Sequence, residues 1–182
     1  MSRIARITTE TANNEQSALL DAIKGKLGMV PNFLAVLAQS PAALTSFLGL
    51  HEIAGSGALD AQTRERIAIA LADRNSCQYC LSAHTAIGRK SGLTDADMTA
   101  NRSGGSTDER AAAAVAFALA LSEHKGSLTE AEFSAVRDAG YSDAEIVEIV
   151  VHVGMNLLTN ILAKSTEVDI DFPKIALTAR AA

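Results

Sequence analysis

The only two cysteines of this 182-residue chain lie in Ser76-Cys77-Gln78-Tyr79-Cys80-Leu81-Ser82-Ala83-His84. On a helix, residues three and four apart share a face, so Cys77, Cys80 and His84 project together. Two sulfurs one turn apart can close a disulfide without moving the backbone far. The imidazole one turn further on can hydrogen-bond or deprotonate the second sulfur. That is the equipment of a dithiol redox site. Ser76 is expected to cap a helix running to about Ser91, which puts Cys77 in its first turn. The N–H groups there lack intrahelical acceptors and carry the positive end of the helix dipole, so a thiol at that end becomes more acidic.

Other chemistries use the same residue types. Cys77, Cys80 and His84 supply three zinc ligands, with Glu65 or His152 as the fourth. No second C-x-x-C or H-x-x-x-H supports that set. The cysteines could also be small core residues, since free cysteine is commonly buried. A thioredoxin-type site is disfavoured because no βαβ pattern surrounds the motif. Taken alone, Glu65 reads as a solvated or salt-bridged residue between Arg64 and Arg66. Tyr79 alone reads as a packing residue. His51, His124 and His152 read as surface or satisfied core histidines, with Glu148 and His152 as an ordinary pair four residues apart.

Composition narrows the class. The length suits one domain with a proper core. Alanine is abundant, aromatics make up 4% and tryptophan is absent, so apolar side chains are mostly small or aliphatic. A net charge of −5 without a basic stripe argues against nucleic-acid binding. No apolar run reaches membrane-spanning length without a charge, and Met1-Ser2-Arg3-Ile4-Ala5-Arg6 lacks the apolar region of a signal peptide. A cytoplasmic protein is expected, where a C-x-x-C is more often catalytic or metal-binding than a structural staple.

The elements that must position the motif read as helices throughout. Residues 1–8 form an expected irregular arm, followed by a helix from about Thr9 to Gly25 with Leu19, Leu20 and Ile23 inward. Asn32 is expected to cap a short helix through Ala38. Ser40-Pro41 starts another, which stops at Gly55-Ser56-Gly57. Asp60 begins a helix to about Arg74, and Thr94 a short one. Thr107 is expected to cap a long helix whose apolar run, Ala111 to Leu121, is core or subunit interface. Capping boxes at Thr129-Glu132 and Ser142-Glu145 open helices to about Ala139 and Lys164. The segment from 165 to 182 is expected as an extended tail. No stretch alternates as a strand does, so one all-α domain spanning 1–182 is predicted.

Glu65, then Cys77-Gln78-Tyr79-Cys80, then His84 resembles the signature of the alkyl hydroperoxidase D / carboxymuconolactone decarboxylase superfamily, in its peroxidase-related branch. The resemblance is firmest from about Gly49 to Ser91. It extends less specifically to Leu27-Gly28-Met29-Val30-Pro31-Asn32-Phe33 and to Asp169-Ile170-Asp171-Phe172-Pro173. It implies a compact all-helical fold assembled into homo-oligomers, and thiol-dependent peroxidase activity without a cofactor or metal. Carried over, Cys80 is the peroxidatic cysteine, Cys77 the resolving one, and Glu65 with His84 the proton relay. Tyr79 stands where the alkyl hydroperoxidase D proteins proper have a histidine. A tyrosine donates a hydrogen bond but is a poor base near pH 7, so a shorter relay or weaker activity is expected. Lactone decarboxylation is not expected, because the decarboxylase branch generally lacks the cysteine pair.

The expected cycle takes a hydroperoxide as substrate and an external dithiol reductant, dihydrolipoyl or thioredoxin-like, to reset the disulfide. Reset requires a sulfur exposed enough to be attacked. The competing functions are a thiol–disulfide reductase or redox sensor without peroxidase turnover, and a non-enzymatic helical oligomeric module.

Overall fold

A computed structural model describes residues 2–178. Met1 of the expected arm and positions 179–182 of the expected tail lie outside the described residues. The chain forms α1 (Asn14–Leu27), α2 (Asn32–Leu37), α3 (Pro41–Gly55), α4 (Ala61–Arg74), α5 (Gln78–Lys90), α6 (Asp95–Arg102), α7 (Glu109–Glu123), α8 (Glu130–Asp138) and α9 (Asp143–Ser165). No strand occurs among the described residues.

Most starts follow their caps. Ser40 accepts from the Ala43 N–H with Pro41 at the first helical position, and Asp60 accepts from Thr63. Thr94, Thr129 and Ser142 each close a capping box. Four starts differ from expectation. α1 begins five residues later than Thr9, because Asn13 and Gln16 form the capping box. Pro31, without a side-chain cap, precedes α2, while the Asn32 side chain donates instead to the Asp169 carbonyl at 2.9 Å. Asp108 rather than Thr107 caps α7, since the Thr107 hydroxyl donates to Asp97. Cys77 rather than Ser76 caps α5.

α4 is the axis of the fold and packs against α5, α6, α7 and α9. Nine of its residues are buried, so it is apolar on more than one side. Ile69 and Ala72 join a cluster with Leu44, Cys77, Cys80, Leu81, Leu93 and Met98. Ile67, Ala70 and Leu71 join a second cluster with Val115, Phe117, Ala118, Val136 and Ile149. The Ala111–Leu121 run is thus largely core, as its composition suggested.

Polar ties hold this frame. Arg66 and Asp97, both buried, pair at 2.8 Å. Glu148 is not paired with His152; its carboxylate accepts from the Ala58 and Leu59 N–H groups at 2.9 and 2.7 Å. His152 is buried and lies 3.3 Å, through Nε2, from the Ala54 carbonyl. The tail residues 168–178 carry no helix and run along the start of α5. Gln78 Nε2 donates to the Ile175 carbonyl at 3.0 Å, and the Ile175 N–H to Ser82 Oγ at 3.1 Å. Gln78 and Ser82 are one turn apart, on the side of α5 away from Cys80 and His84.

α9 spans 23 residues and is the one helix among the described residues long and apolar enough to cross a membrane by length and composition. Its inward side nevertheless carries the buried polar residues His152, Asn156 and Asn160.

Candidate active site

The site is made by the turn between α4 and α5. Asn75 ends α4, Ser76 takes a left-handed φ of 54°, and Cys77 already caps α5. A non-glycine residue in that region costs roughly 1 kcal/mol or more. Here the conformation lets the chain reverse in two residues. The Cys77 N–H donates to the Ala72 carbonyl at 2.8 Å, which locks the helices into one antiparallel register.

That register decides what faces what. Glu65, Ile69 and Ala72 share one face of α4, and His84, Cys80 and Cys77 share one face of α5. With Ala72 bonded to Cys77, Glu65 is brought to His84. Glu65 Oε2 and His84 Nδ1 are 2.9 Å apart, both largely shielded from solvent. Gly88, one turn beyond His84, permits this closeness. A Cβ there would lie 3.1 Å from Leu93 Cδ1 and 3.4 Å from Ile69 Cδ1.

Cys77 and Cys80 are joined in a disulfide with Cα atoms 5.3 Å apart, within the ordinary range for such a bridge. Cys77 Sγ also accepts from the Cys80 N–H at 3.3 Å, so one of the two cysteines is itself the helix cap. Cys80 is the third residue of the helix, inside the first turn. Both sulfurs are buried, Cys77 at 1% and Cys80 at 4% exposure. The exposure expected for reset by a reductant is therefore not met in this conformation.

Tyr79 is placed in packing. Its ring stacks on Phe33 at 6.1 Å and meets Phe172 edge-on at 5.8 Å. Its hydroxyl accepts from the Phe33 N–H at 3.2 Å. Burial, reinforced by the neighbouring Asp171 carboxylate, pushes the phenol well above its ordinary range, so it stays protonated. The zinc alternative gains no support: no group of three or more His, Cys, Asp or Glu side chains fit for a metal occurs among the described residues.

One residue that spacing did not connect with the pair is His51 on α3. Its ring rests 5.9 Å from Phe47, and Phe47 packs against the cysteine cluster. Desolvation of the ring holds the His51 imidazole below its ordinary range, although the residue as a whole is exposed. Nothing local in the sequence links position 51 to position 84.

Residues 39–123, which contain the whole site, match the carboxymuconolactone decarboxylase family. The solved alkylhydroperoxidase core of a peroxidase-related protein from Ralstonia eutropha JMP134 superposes with a TM-score of 0.84 at 24% identity, covering 93% of this chain and 92% of that one. A peroxidase-related protein from Silicibacter sp. TM1040 gives 0.79 at 25% identity, covering 92% and 91%. The debrominase Bmp8, in complex with 2,3,4-tribromopyrrole, gives 0.77 at 18% identity, covering 94% and 92%. A comparison with the curated proteins found no significant match. The chain thus carries a carboxymuconolactone decarboxylase family segment at 39–123 and shares the fold of the solved alkylhydroperoxidase-like structures.

Proposed function

We propose that the protein is a thiol-dependent peroxidase that reduces alkyl or hydrogen peroxides through a Cys77/Cys80 dithiol–disulfide cycle. The observation that carries this is the 2.9 Å contact between Glu65 Oε2 and His84 Nδ1, one turn beyond Cys80. A carboxylate accepting the Nδ1 proton leaves Nε2 as the basic nitrogen, free to take a proton from a thiol. The first turn of α5 favours the resulting thiolate.

In the proposed cycle, the Cys80 thiolate attacks the terminal oxygen of a hydroperoxide and the O–O bond breaks. The sulfur becomes sulfenic acid, and the alkoxide leaves as an alcohol with the proton held by His84. Cys77 then attacks the Cys80 sulfur, expelling water and closing the disulfide. An external dithiol, dihydrolipoyl or thioredoxin-like, restores both thiols by exchange. The cytoplasm, with its pool of such reductants, is the proposed setting, and a homo-oligomer the proposed state. The test is steady consumption of an organic hydroperoxide by the protein supplied with dihydrolipoamide. Stoichiometric alcohol formation supports the peroxidase, and no turnover with any dithiol counts against it.

Burial of both sulfurs favours a second possibility, a redox sensor or thiol–disulfide reductase that is oxidised once and reset slowly. A single oxidation without turnover would select it. The likeness to a debrominase is one of fold, and it marks reductive removal of bromine as a further chemistry to assay.

A further inference from the structure

Both sulfurs are shut in, and the helix they face is fixed in the core. Reduction of a disulfide needs a thiolate to reach one of its sulfurs, yet Cys77 and Cys80 are both buried. They share a cluster with Ile69 and Ala72 of α4, which are fully buried themselves. Because α4 is packed by α5, α6, α7 and α9, the sulfurs come out only if the start of α5 swings away from it. The chain after α9 holds that start in place.

Pro173 has no N–H to continue a helix and keeps Phe172 extended. Apolar residues recur at every second position on either side of it, Ile170 and Phe172 before, Ile175 and Leu177 after. All four pack against the cluster that contains both cysteines. No backbone–backbone hydrogen bond ties residues 169–178 to the other described residues. Side chains hold them instead. Gln78 and Ser82, on the outer side of α5, clip the Ile175 carbonyl and N–H, and the Tyr79 ring meets Phe172 edge-on.

The far end of this segment is buckled to α4 and α6. The Thr178 N–H and hydroxyl donate to the two oxygens of Asp73 at 3.1 and 2.6 Å, and the Asp73 side chain is fully buried. Arg102 closes the buckle. It donates to Asp73 Oδ2 at 3.4 Å, to the Ala176 carbonyl at 2.7 Å and to Thr178 Oγ1 at 3.1 Å. The Asp73 carbonyl in turn accepts from the Ser76 N–H, in the turn that leads to Cys77. The near end is held at α2, where the Asn32 N–H donates to Asp171 Oδ2 at 2.7 Å. The segment thus passes behind α5 from α2 to α4 and keeps its first turn against α4.

We infer that residues 168–178 act as a strap, and that its release from Asp73 and Arg102 is the step that opens the Cys77–Cys80 disulfide to an external dithiol. With the strap off, the first turn of α5 swings from α4 and one sulfur meets the reductant. The reductant's thiolate bonds to that sulfur, the Cys77–Cys80 bond breaks, and the other cysteine leaves as a thiolate. The second thiol of the reductant then displaces the first cysteine and closes the reductant's own disulfide. Two electrons and two protons pass from the dithiol to the cysteines. The inference rests on the reset by a dithiol proposed above and not on peroxide as the oxidant.

The test is the rate at which dihydrolipoamide reduces the intact protein, its disulfide first formed with diamide. The released thiols are alkylated and counted by mass spectrometry, with far-ultraviolet circular dichroism on every variant. Thr178→Val and Arg102→Gln should each raise the rate about fivefold or more, the factor carried by one hydrogen bond of ordinary strength. Thr178→Ser keeps the hydroxyl and should match wild type. Arg137→Gln, which cuts an exposed pair with Asp143 outside the strap, should match it too. Unchanged rates in both strap variants overturn the inference, and so does an equal gain from Arg137→Gln, which marks general loosening. A disulfide that resists dihydrolipoamide in wild type and variants alike overturns both the strap and the proposed reset. Strap variants reduced faster in a protein that consumes no hydroperoxide refute the peroxidase and support the strap.

Discussion

Glu65 and His84 meet across the α4–α5 interface, Oε2 to Nδ1 at 2.9 Å, one helical turn beyond the sulfur of Cys80. The contact fixes the imidazole's orientation and its tautomer together, since a carboxylate acceptor holds the proton on Nδ1 and leaves Nε2 basic. In the proposed cycle, loss of His84 removes the base itself, and loss of Glu65 removes what orients it. The two losses should therefore differ in size.

His84→Ala is expected to slow oxidation of the reduced protein by hydroperoxide about 10²–10⁴-fold, the usual worth of a positioned acid–base group. Glu65→Gln should give a smaller loss. Stopped-flow rates for the two variants, measured across pH, check both the order and the size.

Cys77→Ser removes the proposed resolving thiol but leaves Cys80 in the first turn of α5. Oxidation by one equivalent of peroxide should then stop at the sulfenic acid. A dimedone adduct on Cys80, located by mass spectrometry, is the expected product, and Cys80→Ser should give none.

Tyr79→Phe takes away the acceptor of the Phe33 N–H while keeping the ring contacts with Phe33 and Phe172. The expected cost is about 1 kcal/mol of stability, read by urea denaturation. The pH profile of peroxide reduction should keep its shape, because a phenol held protonated by burial cannot serve as a base in the relay.

What the sequence made legible tracks how local the cause is. Ser40-Pro41, Asp60, Thr94, Thr129 and Ser142 are short-range capping signals, and each stands where its helix begins. Ser76 and Thr107 carry the same signal and do not cap. Ser76 is diverted into the left-handed turn that reverses the chain, and Thr107 is drawn to Asp97 on another element. Both outcomes depend on tertiary neighbours. The common face of Cys77, Cys80 and His84 followed from spacing alone. The meeting of Glu65 with His84 depends on the α4–α5 register, and only resemblance to a family connected the two in the sequence. The burial of the cysteine pair and the inverted polarity of α9 are properties of packing, without a local signal.

Acid should weaken the fold through two buried groups. Hydrogen bonds from Thr107 and Thr94, followed by that from Arg66, hold the Asp97 carboxyl well below its ordinary 3.8. Its contribution is complete above the unfolded value and is lost as pH falls through the folded one. Burial holds the His152 imidazole below its ordinary 6.5, so the stability gained by keeping it neutral is present above about pH 6.5 and declines below. Tm should be level from pH 7 to 8 and fall in two stages, below pH 6.5 and again below pH 4. Asp97→Asn, which leaves the buried Arg66 without its opposite charge, should cost about 3 kcal/mol at pH 7 and remove the second stage.

The most direct test of the central claim is a free-thiol count on fully reduced protein before and after one equivalent of an organic hydroperoxide. A peroxidatic Cys77/Cys80 pair predicts rapid loss of both thiols, one alcohol formed per disulfide, and full recovery with a dithiol. Thiols that persist, or peroxide consumption unchanged by Cys80→Ser, would contradict it.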